Sequence, residues 1–261
     1  MDVERLELDL REPSAAEAAL AGRPEWVFHL ATHGAYSWQT DEAEIVATTL
    51  DATVRLVDAA IAAGVTAFVH AGSSSEYGPK DHAPDEDEPL EPDSAYGAAK
   101  AAATVYCREA ARTRDAHVVT LRLYSAYGPF EEPRRFVPTL LEHAQRGTLP
   151  PLVDPATARD FVYVEDVCNA FVAAARTIDV PRGTVLNIGT GEQTTIAEAV
   201  EVVRRLFGIE EEPRYGSHEP RPWDTDRWIA QPARARELLG WRASTSLEQG
   251  LRATAEWMQR R

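Results

Sequence analysis

Cysteine is nearly absent from this 261-residue chain. Cys107 and Cys168 are too few and too isolated for a disulfide framework or a zinc site, so reduced core thiols in a cytoplasmic protein are expected. Basic charge is also scarce, with 27 Lys and Arg against 42 Asp and Glu and a formal net charge of -15. That balance argues against a nucleic-acid or anionic-membrane surface, which needs a positive footprint, and an anionic small substrate would need its own local arginines. No apolar run approaches the ~20 residues of a membrane span, and the front lacks the basic-then-apolar pattern of a signal peptide. There is no internal repeat or low-complexity tract, and the acidic run DEDE (85–88) reads as a solvated loop.

What is present is an alternation of strands and helices. MDVERLELDL alternates from Leu6 to Leu10 and reads as a strand, PSAAEAAL (13–20) as a short helix started by Ser14, and EWVFHL as a buried strand over 26–30. Val46, Leu50, Val54, Val57 and Ile61 fall at helical spacing within 41–63, with Gly64 as the stop, and VTAFVHA (65–71) returns as a strand. A proline-punctuated loop (78–94) leads into an alanine-rich helix over 94–114 and a strand, HVVTLRLY (117–124). Helices near 134–146 and 166–176, strands at 160–164 and 185–189, a helix from Thr194 or Thr195 to Gly208, and two last helices near 233–239 and 246–259 follow. This rhythm predicts an α/β fold, a doubly wound parallel sheet with a smaller mixed α/β C-terminal domain, divided at about 1–128 and 129–261. Segments at about 160–190 return to the first domain.

Tyr96 and Lys100 in SAYGAAK lie four apart and so on one helix face, where an ammonium favours the phenolate and makes a usable general base. Alone, that spacing usually means a surface pair. GSSSEYG (72–78), however, follows a strand expected at the sheet centre, at the carboxyl edge where open α/β sheets bind ligands. His29 and His33 are four apart on a strand, where that spacing does not gather two metal ligands, so no metal site is expected and His29 reads as a core residue. Ser73 to Ser75 lack the G-x-S-x-G elbow of a serine hydrolase. Trp223, Trp228, Trp241 and Trp257 read as C-terminal core.

With these residues in view, the sequence resembles the extended short-chain dehydrogenase/reductases, and within them the nucleotide-sugar epimerases and dehydratases. The resemblance runs through DLRE (9–12), VFHLAT (27–32), DAAIAAGV (58–65), GSSSEYG, SAYGAAK, LRLYSAYGP (121–129), RDFVYVEDV (159–167), NIGTG (187–191) and ELLGW (237–241). It implies a Rossmann-like fold, NAD or NADP as cofactor and a nucleotide-diphosphate sugar as substrate. It assigns Ser73, Tyr96 and Lys100 to catalysis, and Asp9, Leu10, Leu30, Ala31 and Thr32, with Tyr96 and Lys100, to the cofactor. Substrate contacts fall to Ser74, Ser75, Ser125, Arg159 and Arg221, the two arginines at the phosphate positions. Ser74 and Ser75 stand where dehydratases of the family carry an Asp-Glu pair, which points to epimerisation or 4-ketoreduction, although Glu76 keeps a carboxylate in play for 4,6-dehydration. Ser125 replaces a common substrate-contacting Asn. The resemblance also implies a homodimer through helices 41–63 and 94–114.

The family's first strand, glycine-rich turn and helix, which hold the dinucleotide pyrophosphate, have no counterpart ahead of Asp9. The fold is therefore expected to be N-terminally truncated, with the strand at 26–30 a raw edge unless residues 4–10 pair with it. An epimerase or ketoreductase whose sequence is truncated at the front is one reading. A cofactor-poor member that binds a nucleotide sugar or a protein partner without turnover is the other.

Overall fold

The computed structural model describes residues 4–218 and 224–260, so Arg221 and Trp223 lie outside the described residues. In chain order the elements are α1 (Ala15–Leu20), β1 (Trp26–His29), α2 (Glu42–Val46), a π-helical turn (Ala47–Asp51), α3 (Ala52–Ala62), β2 (Ala67–Ser73), a 3-10 turn (Ser74–Glu76) and α4 (Ala95–Thr113). Then come β3 (Val118–Leu123), β4 (Ser125–Tyr127), α5 (Phe136–Gln145), β5 (Ala158–Arg159), β6 (Phe161–Tyr163) and α6 (Val164–Arg176). The chain closes with β7 (Val185–Ile188), β8 (Thr194–Thr195), α7 (Ile196–Phe207), α8 (Ala233–Leu239) and α9 (Leu247–Gln259).

Four strands form the main sheet in the order β1-β2-β3-β7, and β1 runs parallel to β2 with His29 beside His70. The fold is α/β and Rossmann-like, a parallel sheet with helices. The sheet is buried because β2 is apolar on both faces, every residue from Ala67 to Ser73 being enclosed. Helix α4 begins cleanly because the Ser94 hydroxyl accepts the Gly97 N–H. No described helix is long and apolar enough to cross a membrane.

The chain divides into two units. One comprises Met1–Gly78, Glu86–Arg122 and Phe171–Leu186, and the other Pro79–Asp85, Leu123–Ala170 and Asn187–Arg261. In the first, Leu20, Leu56, Val57, Phe68, Cys107 and Val118 form a common core. In the second, Leu140, Leu141, Val200, Val203 and Leu251 do so. The paired strands β4 and β6 also belong to the second unit, and β5 and β8 pair antiparallel there.

Three sequence expectations need correction. Residues 4–9 form no strand, and Leu6 and Leu8 are 53% and 41% exposed. Alternation makes a strand only where a neighbour supplies a hydrogen-bonding edge, and the chain just after the segment is held by another means, the Arg55 guanidinium donating to the Leu10 and Arg11 carbonyls. The helix over 41–63 is interrupted by the π-helical turn. The run DEDE is not wholly solvated: Glu86 is buried and its carbonyl accepts from Arg122, while Asp87 faces Arg108 at 3.9 Å.

Of the two expected core thiols Cys107 is buried and Cys168 is exposed, and the tryptophans divide similarly. Trp241 is buried, with its indole N–H on the Asp166 carbonyl, whereas Trp257 is half-buried against Phe130, ring centroids 4.8 Å apart.

Candidate active site

Ser73 is the last residue of β2 and caps the 3-10 turn that follows. Its Oγ accepts the Ser75 N–H at 3.1 Å, and its own N–H donates to Glu76 Oε1 at 2.8 Å. No acceptor for its hydroxyl proton is found among the described residues. Helix α4 comes up against this turn because Gly97 has no side chain: a Cβ there would stand 2.6 Å from the Ser75 carbonyl oxygen. The approach carries Tyr96, half-buried, and Lys100, buried, into the same unit of structure.

Lys100 Nζ lies 5.9 Å from the centre of the Tyr96 ring and donates to the Ala71 carbonyl at 2.8 Å. That is its one hydrogen bond among the described residues, so two N–H groups of a buried ammonium remain to be used. Burial pulls the Lys100 pKa down to about 8, against the opposing pull of Glu76. Two unspent donors beside a tyrosine fit the vicinal hydroxyls of a ribose, which is the group a nicotinamide cofactor would bring.

The other residues assigned to the cofactor are placed unevenly. Asp9 is exposed and gripped by Arg11 through three side-chain hydrogen bonds, the Nη2 one at 2.7 Å, which lowers its pKa to about 2. Leu10 is half-buried, while Leu30 is 54% exposed and Ala31 is exposed. Thr32 shares a 3.0 Å hydrogen bond with Thr49. The structure therefore joins Ser73, Ser74, Ser75, Tyr96 and Lys100 around one strand end and leaves Asp9 occupied by an ion pair.

In the second unit, Ser125 is half-buried and donates its N–H to the Asp160 carbonyl at 3.0 Å. Arg159 is mostly enclosed, ion-paired with Asp224 at 3.0 Å and 5.8 Å from the Trp228 ring. Beside it, the Asp160 carboxylate accepts from the N–H groups of Thr190, Gly191 and Ala230, tying the NIGTG loop in place.

Two residues carry more than their sequence context suggested. Glu76 is fully buried and bonded to Arg122 at 2.7 Å, so it is committed inside the protein rather than open to a substrate. The signal was Arg122 itself, a guanidinium inside the apolar run HVVTLRLY, since a charge in a buried strand needs a buried partner.

A family model described as the NAD dependent epimerase/dehydratase family matches residues 2–189. A UDP-glucose 4-epimerase of Mycolicibacterium smegmatis is 33% identical over 244 residues, 91% of this chain and 77% of that protein. Among solved structures, the UDP-glucose 4-epimerase of Thermotoga maritima with UDP-glucose matches with a TM-score of 0.89 at 30% identity, covering 98% of this chain and 84% of that one. The UDP-glucose 4-epimerase of Thermus thermophilus in complex with NAD gives 0.85 at 28% identity, covering 97% and 83%.

Proposed function

The chain belongs to the NAD dependent epimerase/dehydratase family, and from that premise we propose that it interconverts the C4 epimers of a UDP-sugar, with Tyr96 as the acid and base. The observation that carries this reading is the buried Lys100 ammonium beside Tyr96, next to a serine whose hydroxyl is already oriented. The ammonium stabilises the Tyr96 phenolate, which takes the proton of the sugar hydroxyl and later returns it. Ser73 donates its hydroxyl hydrogen to the same oxygen and steadies it as it loses or regains the proton. Bound NAD would supply a hydride acceptor and donor at the sugar carbon, and the two free N–H groups of Lys100 would hold its ribose.

Ser74 and Ser75 are assigned to the sugar, whose hydroxyls they can bond, but their own hydroxyls cannot serve as the acid and base of dehydration. With Glu76 bonded to Arg122, the turn offers no free carboxylate for removing water. Epimerisation and 4-ketoreduction share the half-reaction at Tyr96, and the relatives named above favour epimerisation. Arg159 and Arg221 are assigned to the diphosphate, which would share Arg159 with Asp224.

The test is incubation of the chain with NAD and, separately, UDP-glucose, UDP-galactose and UDP-glucuronic acid, following the sugar C4 configuration by NMR. Equilibration of a pair of epimers is expected. Tyr96→Phe should lower kcat by about 10²–10⁴-fold. A Phe variant as fast as the parent, or no turnover of any of the three, would sink the assignment.

A further inference from the structure

Beneath Ser73 lies a buried ion pair that the reaction above does not use. Glu76 is fully enclosed and the Arg122 side chain is 4% exposed. Glu76 Oε2 accepts Arg122 Nε–H at 2.7 Å, while Oε1 accepts both the Ser73 N–H at 2.8 Å and the Thr104 hydroxyl at 2.9 Å. Arg122 in turn donates to the Tyr77 hydroxyl at 2.8 Å and the Glu86 carbonyl at 3.1 Å, with its guanidinium carbon 4.6 Å from the centre of the Tyr77 ring. Room for the carboxylate is made at Gly72, where a Cβ would stand 2.7 Å from Glu76 Oε1.

Thr104 lies one turn beyond Lys100 and two beyond Tyr96, on the same face of α4. One carboxylate oxygen thus bridges the main chain of Ser73 and the helix that carries the base. We propose that Glu76, clamped by Arg122, is a positioning residue that fixes the Ser73 turn against the Tyr96–Lys100 face of α4. The inference rests on the catalytic reading given above and adds to it a residue that touches neither substrate nor cofactor.

The same carboxylate acts on Lys100 through space. The groups facing Lys100 are His29 from β1, His70 from β2, Tyr96 and Cys107 from α4, and Glu76 from the turn. Burial keeps both histidines neutral and pushes the Cys107 thiol up to about 12. Burial also raises the Glu76 carboxyl, but three donors and no acceptor face it, so the ionised form is the one this geometry holds. Glu76 is therefore the anion that offsets the burial of the Lys100 ammonium.

Lysine occurs twice in the chain, as Lys80 and Lys100. Protein labelled with ¹³Cε-lysine gives two side-chain signals, assigned with Lys80→Arg, and the Lys100 titration can be read without any turnover. Glu76→Gln should lower the Lys100 midpoint by about one pH unit and reduce kcat at least about tenfold with KM changed less than threefold. Glu76→Asp keeps the charge but cannot reach the Ser73 N–H, so it should hold the midpoint and still lower kcat. If Glu76→Gln fails to fold because Arg122 is left unpaired, the double variant Glu76→Gln/Arg122→Met removes that charge and carries the same expectations. An unchanged Lys100 midpoint, or an unchanged kcat in a folded variant, overturns the inference. Absence of turnover in the wild type overturns the catalytic reading instead, and the lysine titration then decides whether Glu76 is coupled to Lys100.

Discussion

His29 and His70 stack in the sheet with ring centroids 5.8 Å apart, and neither is surface-exposed. The Thr53 hydroxyl donates to the Thr49 carbonyl at 2.7 Å, so it must accept from His29 Nε2–H at 2.8 Å, which sets the His29 tautomer. His70 Nε2, buried, has no hydrogen-bond partner among the described residues. Burial, reinforced by Lys100, lowers the His29 pKa from 6.5 to about 4. Between those values the unfolded chain takes up a proton that the folded one refuses, so the stability from neutral His29 is complete above pH 6.5 and is lost as the pH falls toward 4. The loss is on the order of 3 kcal/mol. Urea unfolding at pH 7 and 4.5 should show a steeper acid loss for the wild type than for His29→Gln, and parallel losses would contradict it. Under the proposed reaction Lys100 has the opposite charge logic: its ammonium is lost as pH rises through about 8. Turnover should therefore decline on the alkaline side near that pH, as a kcat profile would reveal. At this scale the nearness of Ser73, Tyr96 and Lys100 was legible because a motif carries their spacing. The Glu76–Arg122 bond was not, because 46 residues separate partners that only the sheet brings together.

Among the elements, α9 shows how packing overrides propensity. An exposed helical glycine replaced by alanine gains about 1 kcal/mol, but at Gly250 a Cβ would overlap the Tyr127 hydroxyl and lie 2.8 Å from its Cζ. Gly250→Ala should instead destabilise by about 1–3 kcal/mol, seen as a lower thermal midpoint, and an unchanged or higher midpoint would show that Tyr127 yields freely. Helix α7 was read almost to the residue, since Thr195 and Glu198 form a capping box and Gly208 ends it in the left-handed conformation. The segment 4–9 forms no strand for a physical reason. Alternation reports which faces differ in polarity, whereas a ladder also needs a second chain segment at the right distance, and periodicity contains no information about that.

For the molecule as a whole, cofactor and self-association are read through stability and mass. NAD at a hundredfold excess over its Kd should raise the unfolding free energy by about 2.7 kcal/mol; a thermal midpoint unmoved by millimolar NAD would count against the cofactor assignment. On α4, Ala98, Ala102, Val105 and Glu109 face outward, with Val105 58% exposed, which suits the expected pairing with a second copy. Sedimentation should show a dimer that Val105→Asp weakens. The sequence by itself determined the family, the alternation of strands and helices and the grouping of Ser73, Tyr96 and Lys100, because each rests on short-range spacing and local chemistry. Only the tertiary structure decided that Glu76 is locked inward by Arg122 and that Arg159 is paired with Asp224. Which opposite charge a side chain meets depends on distances in the folded chain, and the order of residues does not specify them.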